Sequence, residues 1–384
     1  QIKKRNRRKF KNREVKIMKP RIISIIFACL AIVLAAVSTP TSNAHAAAKK
    51  WRIQTALPAA SMYMDIIKSF AANVDAMSGG RLKTEVLPVG AVVGFFDVQD
   101  AVDKGLVEGG FTWPHFFSGK KPAAYLFADQ PSVGGMDQFT FLSWYYEGDG
   151  EKLYADFIKN DLKANMVGFI NLMSGGQPLG WFKEPIKSLE DFRKLKYRSP
   201  PGITGELFNN MGVTTVSLPG GELVPAAQRG VIDAAEWINP GEDIRLGMHQ
   251  VWKHYYLQGM HQASDLGTII INGDFWKALS PDLQKIIEVA AKASVSDSIA
   301  VNIKRNGEAI HELKTKHGVT IHDTPADLYP AFAASSAKVM KDYSAKDAFF
   351  KKVADSQKAF AKNTVPYWTK LLGLYHSIGQ AAQE

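Results

Sequence analysis

The residues of this chain that could do chemistry are an arginine, a few carboxylates and several amides, not activated nucleophiles. No serine stands in a G-x-S-x-G turn, and no H-E-x-x-H pair occurs. The nine histidines are scattered. His249 and His254 are five residues apart, so they do not stack on one helical face and read as a solvated pair rather than as metal ligands. Gly175-Gly176 and Gly220-Gly221 lack the Lys-Ser/Thr of a phosphate-cradling loop and read as turns. Glu190-Asp191 and Glu242-Asp243 are adjacent in sequence, in contexts where helices start, and read as caps. Arg198 differs. The segment Ser188-Leu189-Glu190-Asp191-Phe192-Arg193-Lys194-Leu195-Lys196-Tyr197-Arg198 is a capped helical turn leading into a strand that ends in arginine. A planar guanidinium at a strand end can grip a carboxylate with two parallel charge-assisted hydrogen bonds, which lysine cannot. The bland alternative is a surface salt bridge.

The elements that position Arg198 follow from periodicity. Residues 51–57, 82–87 and 107–113 read as strands. A helical stripe at 61–77 and a short helix at 97–104 separate them. Ser78-Gly79-Gly80 closes the first helix, glycine being free to take the left-handed cap. This alternation predicts a mainly parallel α/β sheet. A second set follows, with strands at 166–172, 181–182, 196–198, 214–218 and 232–237 and helices at 203–211 and 222–229. Two such sets predict two lobes with a cleft between them. Ser280-Pro281 marks a helix start with serine as N-cap. A single helix from there to His317 would be about 55 Å long and run along both lobes; the alternative is two helices broken near Gly307. Thr324-Pro325 opens a further helical section, and the tail 366–383 is amphipathic.

The segment ending in Arg198, together with Leu218-Pro219-Gly220-Gly221-Glu222 and the run AAQRGVIDAAEW at 226–237, resembles the solute-binding proteins of tripartite ATP-independent periplasmic (TRAP) transporters. The early string DAVDKGLVE at 100–108 fits the same pattern, and the resemblance covers nearly all of the chain beyond residue 46. Gly176-Gln177-Pro178-Leu179-Gly180-Trp181-Phe182, Glu236-Trp237 followed by Asn239-Pro240, and Lys253-His254-Tyr255-Tyr256 are similar to the 2-oxoacid-binding branch.

That resemblance implies an α/β two-lobe periplasmic binding protein with a ligand cleft between lobes and a long helix along both. One lobe would comprise 47–174 plus 264–303, the other 175–263 plus 304–345, with C-terminal helices at 346–384. It implies capture of a small 2-oxo or 2-hydroxy monocarboxylate and its delivery to membrane permease subunits, with no reaction catalysed. Arg198 would hold the ligand carboxylate. Gln177, Glu236 and the Trp237 carbonyl would hold a cation beside it. Trp113 and Phe116 are candidate cleft walls, and Trp237 reads equally as wall or core. Gln262 stands where the branch carries a further glutamate. With one anionic ligand left, the charge count favours a monovalent cation or none over Ca²⁺. Without a cation, Glu236 would have to accept a hydrogen bond from a ligand hydroxyl. The tail resembles the terminal helix through which that branch forms homodimers. A binding protein of an ABC transporter shares the cleft logic. An exported hydrolase or lyase would need Glu236 within reach of a histidine.

Composition limits the remaining options. The chain has 384 residues and a formal net charge of +10. Residues 1–46 contain eleven Lys and Arg against Glu14 alone, leaving 36 basic and 36 acidic residues in the rest. No basic surface is left to recruit nucleic acid. Met18, Lys19 and Arg21 precede an apolar run at 22–37 and the triplet Ala44-His45-Ala46. This is the order of a secretory signal peptide and predicts cleavage after Ala46 and a periplasmic product. Residues 1–17 read as an upstream extension. The single Cys29 falls within the apolar run, which excludes disulfides and thiol chemistry from the expected mature chain.

Overall fold

Ser61 ends the first β–α connection by capping the next helix. Its side chain accepts the Tyr63 N–H, and the helix Met62–Met77 follows. Gly79 and Gly80 take φ of +62° and +77° beyond its end, as the Ser-Gly-Gly string requires. The computed structural model describes residues 48–128, 133–263 and 265–383, so the expected signal peptide lies outside the described residues. None of the helices described is long and apolar enough to cross a membrane.

Among the described residues eleven strands occur: β1 (Lys49–Thr55), β2 (Leu82–Leu87), β3 (Gly109–Thr112), β4 (Met166–Met173), β5 (Gly180–Phe182), β6 (Lys196–Arg198), β7 (Thr214–Val216), β8 (Ala234–Ala235), β9 (His254–Tyr256), β10 (Leu266–Asn272) and β11 (Thr320–His322). They form two sheets, ordered β2-β1-β3-β10-β4 and β11-β9-β5-β8-β6-β7. The pairing is mainly parallel, as expected: β1 runs parallel to β2 and β3, β6 to β7 and β8, and β9 to β11. β10 runs antiparallel to both β3 and β4, and β5 antiparallel to β8 and β9. The periodicity reading missed β10, β9 and β11. All seven residues of β10 are buried, so it shows no alternation; it is a central strand covered on both faces.

The helix Pro281–Lys316 is unbroken over 36 residues. A Cβ on Gly307 would meet nothing within 4 Å, so that glycine weakens the helix without ending it. Ser280 does not cap: its hydroxyl donates to Asp282 instead. The helix ties the two sheets together. Ser298 accepts the Met173 N–H at 2.9 Å, and Asn302 donates to the Met173 carbonyl at 2.6 Å, both at the end of β4. Asn306 accepts the Gly241 N–H at 2.9 Å, in the helix Pro240–Leu246 that follows β8. Two further segments cross between the sheets, one joining β4 to β5 and one joining β9 to β10. They pair with each other, Ser174 N–H to the Asp265 carbonyl at 3.3 Å and Gln177 N–H to the Gln262 carbonyl at 2.9 Å.

The tail is not a separate helix. One helix spans Ala348–Ala381 and runs through Pro366, which forgoes an N–H bond without ending it. Its first half is seated on the fold through Phe350, Val353, Ala354 and Ala361. The Trp368 indole donates to Asp137 at 2.9 Å, while Tyr367 before it and Leu374, Tyr375 and Ile378 beyond it are exposed.

Candidate functional site

Arg198 ends β6, between β7 and β8, and its register partners are Val216 and Ala235. The side chain is 3% exposed. Its Nε and Nη2 donate to the Leu218 carbonyl at 3.0 and 2.7 Å. Nη1 donates to the Glu236 carbonyl at 3.1 Å and forms a short ion pair with the Glu236 carboxylate. A guanidinium has five N–H donors, so one of Nη2 remains. The Trp237 ring lies 5.3 Å from Cζ, a cation–π contact. Trp237 can sit there because of Gly220, where a Cβ would be 2.3 Å from the indole. The Gly220-Gly221 pair is thus a turn, as expected, and also the seat of an aromatic side chain.

The guanidinium opens onto a small cleft. Arg198, Gln177, Trp237, Trp113, Phe116 and Gln262 all line it, so the structure brings these sequence-predicted residues together. Glu236 lies behind Arg198, against its guanidinium. Phe95, His115 and Asp265 also line the cleft and were not read from the sequence. Phe95 stands 6.0 Å from Trp237 and 5.1 Å from Phe116, centroid to centroid, and completes an aromatic wall. The Phe95-Phe96 pair after Gly94 was the available signal, since adjacent aromatics in a glycine-bounded loop lack a helical or strand reason. Asp265 carried no local signal. The two histidines read as a pair do not meet: His254 lies 3.0 Å from His322, and His249 stacks on His317 with ring centroids 4.2 Å apart.

Burial dominates the electrostatics. Glu236, 1% exposed, has its pKa pushed up to about 8 by burial; Arg198 opposes this, and Asp243 and Asp265 add to it. Burial likewise pushes Asp265 up to about 6, opposed by Ser174, Gln177 and Trp113. His115 and His261 are driven down to about 3 by burial and then by Arg198, which keeps both neutral. The hydrogen-bond partner of Glu236 is an arginine, not a histidine, so the acid–base pair of a hydrolase is not assembled on it.

Among the described residues, the buried oxygens without a hydrogen-bond partner include Glu236 Oε2 and Gln177 Oε1. Among the described residues no group of three or more His, Cys, Asp and Glu side chains is placed to hold a metal. Carboxylate, amide and carbonyl oxygens are the donor set of a hard cation, and the two orphaned oxygens fit one. A further carboxylate stands in the same cleft. Gln262 is neutral, but its amide donates to Asp265 Oδ1 at 3.4 Å, and Asp265 lines the same cleft.

Glu242 and Asp243 do not cap their own helix; the Asn239 side chain does, accepting the Glu242 N–H. Asp243 accepts from the Ile238 and Asn239 N–H groups, the Trp181 indole and the Tyr255 hydroxyl, fixing the backbone just beyond Trp237. Glu242 accepts the Met62 N–H at 2.6 Å, at the start of a helix of the other sheet. Burial raises the Glu242 pKa to about 7. Between about pH 4.5 and 7 the folded state therefore keeps a proton that the unfolded state has released. Stability due to this group falls as pH rises through that window, by up to about 3 kcal/mol. Glu242→Gln should flatten this part of the Tm–pH curve between pH 5 and 8. Parallel curves for wild type and variant would refute the assignment.

Residues 53–347 match the profile of bacterial extracellular solute-binding protein, family 7. The chain is similar to the monocarboxylate 2-oxoacid-binding periplasmic protein of Nostoc sp., 31% identical over 339 residues, covering 87% of this chain and 90% of that one. It also resembles a TRAP transporter solute-binding protein from Bordetella bronchiseptica with copurified calcium and picolinate in its active site (TM-score 0.82, 26% identity, 88% of this chain and 100% of that one). A TRAP periplasmic solute-binding protein from Pseudoalteromonas atlantica with bound sodium and pyruvate is similar as well (TM-score 0.79, 26% identity, 86% and 98%).

Proposed function

The chain belongs to family 7 of the bacterial extracellular solute-binding proteins, and on that footing we propose that it captures a small 2-oxo or 2-hydroxy monocarboxylate in the periplasm and hands it to TRAP permease subunits. The observation that carries this reading is the buried Arg198 guanidinium, opening onto an aromatic-walled cleft beside two orphaned oxygens. The acid's carboxylate takes the remaining Nη2 donor and competes with Glu236 for Nη1. A cation beside Glu236 and Gln177 draws the Glu236 carboxylate away and frees that donor. Acid and cation then strengthen each other's binding, and the coupling is reciprocal. Phe95, Trp113, Phe116 and Trp237 exclude water and suit a ligand whose remainder is planar or apolar. The family is one of solute-binding proteins, and binding without catalysis is the role we infer.

Calorimetry with pyruvate, lactate and branched 2-oxo acids, in calcium and in sodium, tests this reading. Micromolar or tighter binding of at least one acid is expected, and no binding of any would refute it.

The exposed stripe of Tyr367, Leu374, Tyr375 and Ile378 suits a second copy of the chain, in line with a dimer through this helix. Leu374→Lys combined with Ile378→Lys should shift the mass in solution from dimer to monomer, measured by light scattering, without lowering acid affinity. An unchanged mass would place the dimer contact elsewhere or remove it.

A further inference from the structure

Resting on the acid-binding reading above, we propose that Asp265 supplies the second carboxylate of the cleft and makes its cation site selective for a divalent over a monovalent ion. Asp265 is 1% exposed and sits in the crossing segment before β10. It is held there against its own backbone preference, with φ of +33° in a non-glycine residue. Several bonds hold it. The Ser174 hydroxyl donates to Oδ2 at 2.8 Å and to the Asp265 carbonyl at 3.0 Å; the Gln262 amide donates to Oδ1. The His115 Nδ1 lies 4.0 Å from Oδ1. This is a built position, not a surface acid that has folded inward.

The charge count follows from the residues present. Arg198 contributes one positive charge, and Glu236 and Asp265 contribute two negative charges when a cation holds them ionised. His115 and His261 are neutral. A monocarboxylate ligand adds a third negative charge. For the groups that line the cleft or pair with Arg198 the sum is minus two, with the buried Asp243 further behind Glu236, in a cleft where uncompensated charge is poorly solvated. A divalent ion brings the sum to zero, whereas a monovalent ion leaves one negative charge unbalanced. The orphaned Oε2 of Glu236 and Oε1 of Gln177 show where such an ion would find its first oxygens. Asp265 adds charge behind them and accepts the Gln262 amide.

The test uses the full mature chain after chelation and desalting. Thermal shift and calorimetry with CaCl₂ alone, NaCl alone, and each with pyruvate are compared for wild type and Asp265→Asn. Wild type should bind Ca²⁺ without any acid and bind pyruvate at least tenfold more tightly in CaCl₂ than in NaCl at equal ionic strength. Asp265→Asn should lose at least tenfold in Ca²⁺ affinity and lose most of the preference for Ca²⁺ over Na⁺. If that variant does not fold, the wild-type comparison of the two salts decides alone. Equal pyruvate affinity in the two salts overturns this proposal and leaves the acid-binding reading standing. Ca²⁺ binding that depends on Asp265 in a protein that takes no 2-oxo or 2-hydroxy acid supports the cation site and overturns the acid-binding reading.

Discussion

Arg198→Ala should abolish measurable acid binding and should also lower stability. Losing one partner of a desolvated charge pair costs about 2–5 kcal/mol, or roughly thirty- to several-thousand-fold in affinity. The stability cost has a separate source. Arg198 is paired to a buried glutamate and donates twice to the Leu218 carbonyl, so its removal leaves Glu236 buried without a counter-charge. Breaking such a pair from one side is destabilising by roughly 3–5 kcal/mol. The double change Arg198→Met with Glu236→Gln removes both charges and should recover much of the lost stability while still failing to bind acid. Near-wild-type affinity in either protein, measured by calorimetry, would remove Arg198 from the site.

Gly259→Ala should be nearly as damaging, although Gly259 touches no ligand. A Cβ there would lie 1.9 Å from the Gln177 carbonyl oxygen and 2.9 Å from the Pro178 carbonyl carbon. Both are backbone atoms, so no side chain can swing aside. The two crossing segments would have to separate, and Gln177 would leave the cleft. Overpacking of this kind costs about 1–3 kcal/mol, occasionally more. Loss of at least tenfold in both cation and acid affinity is expected together with a lower Tm. Gly221→Ala is the control, because a Cβ there meets nothing within 4 Å. If the two variants bind alike, the close approach has no bearing on the site.

The parts of the site that were legible in the sequence share one property: they lie in unbroken strings. Lys196-Tyr197-Arg198 and Ala234-Ala235 form adjacent parallel strands with Arg198 opposite Ala235, so reading two short motifs brings Arg198 next to Glu236, the residue that follows. The long helix was legible because Ser-Pro opens it and no strong breaker follows for 36 residues. The three-residue strands β9 and β11 are too short to show a period, and they exist because neighbouring strands complete them. Asp265 was illegible for a stronger reason. Its place is set by Ser174, 91 residues away in sequence, and no local pattern encodes that contact. The charge count compared one position with one position, whereas a further carboxylate three residues along the same loop lines the same cleft.

The reversed strand β10 also sets the order in which the chain can acquire structure. β3 and β4 do not pair with each other; β10 lies between them. The first sheet therefore stays open in its middle until Asn272 has been synthesised, and about ninety residues of the second sheet intervene between β4 and β10. Closing so long a loop must precede the contacts that reward it, and folding dominated by such non-local pairing is slow. A fragment ending before Leu266 should not be a folding unit, however much of the first sheet it contains.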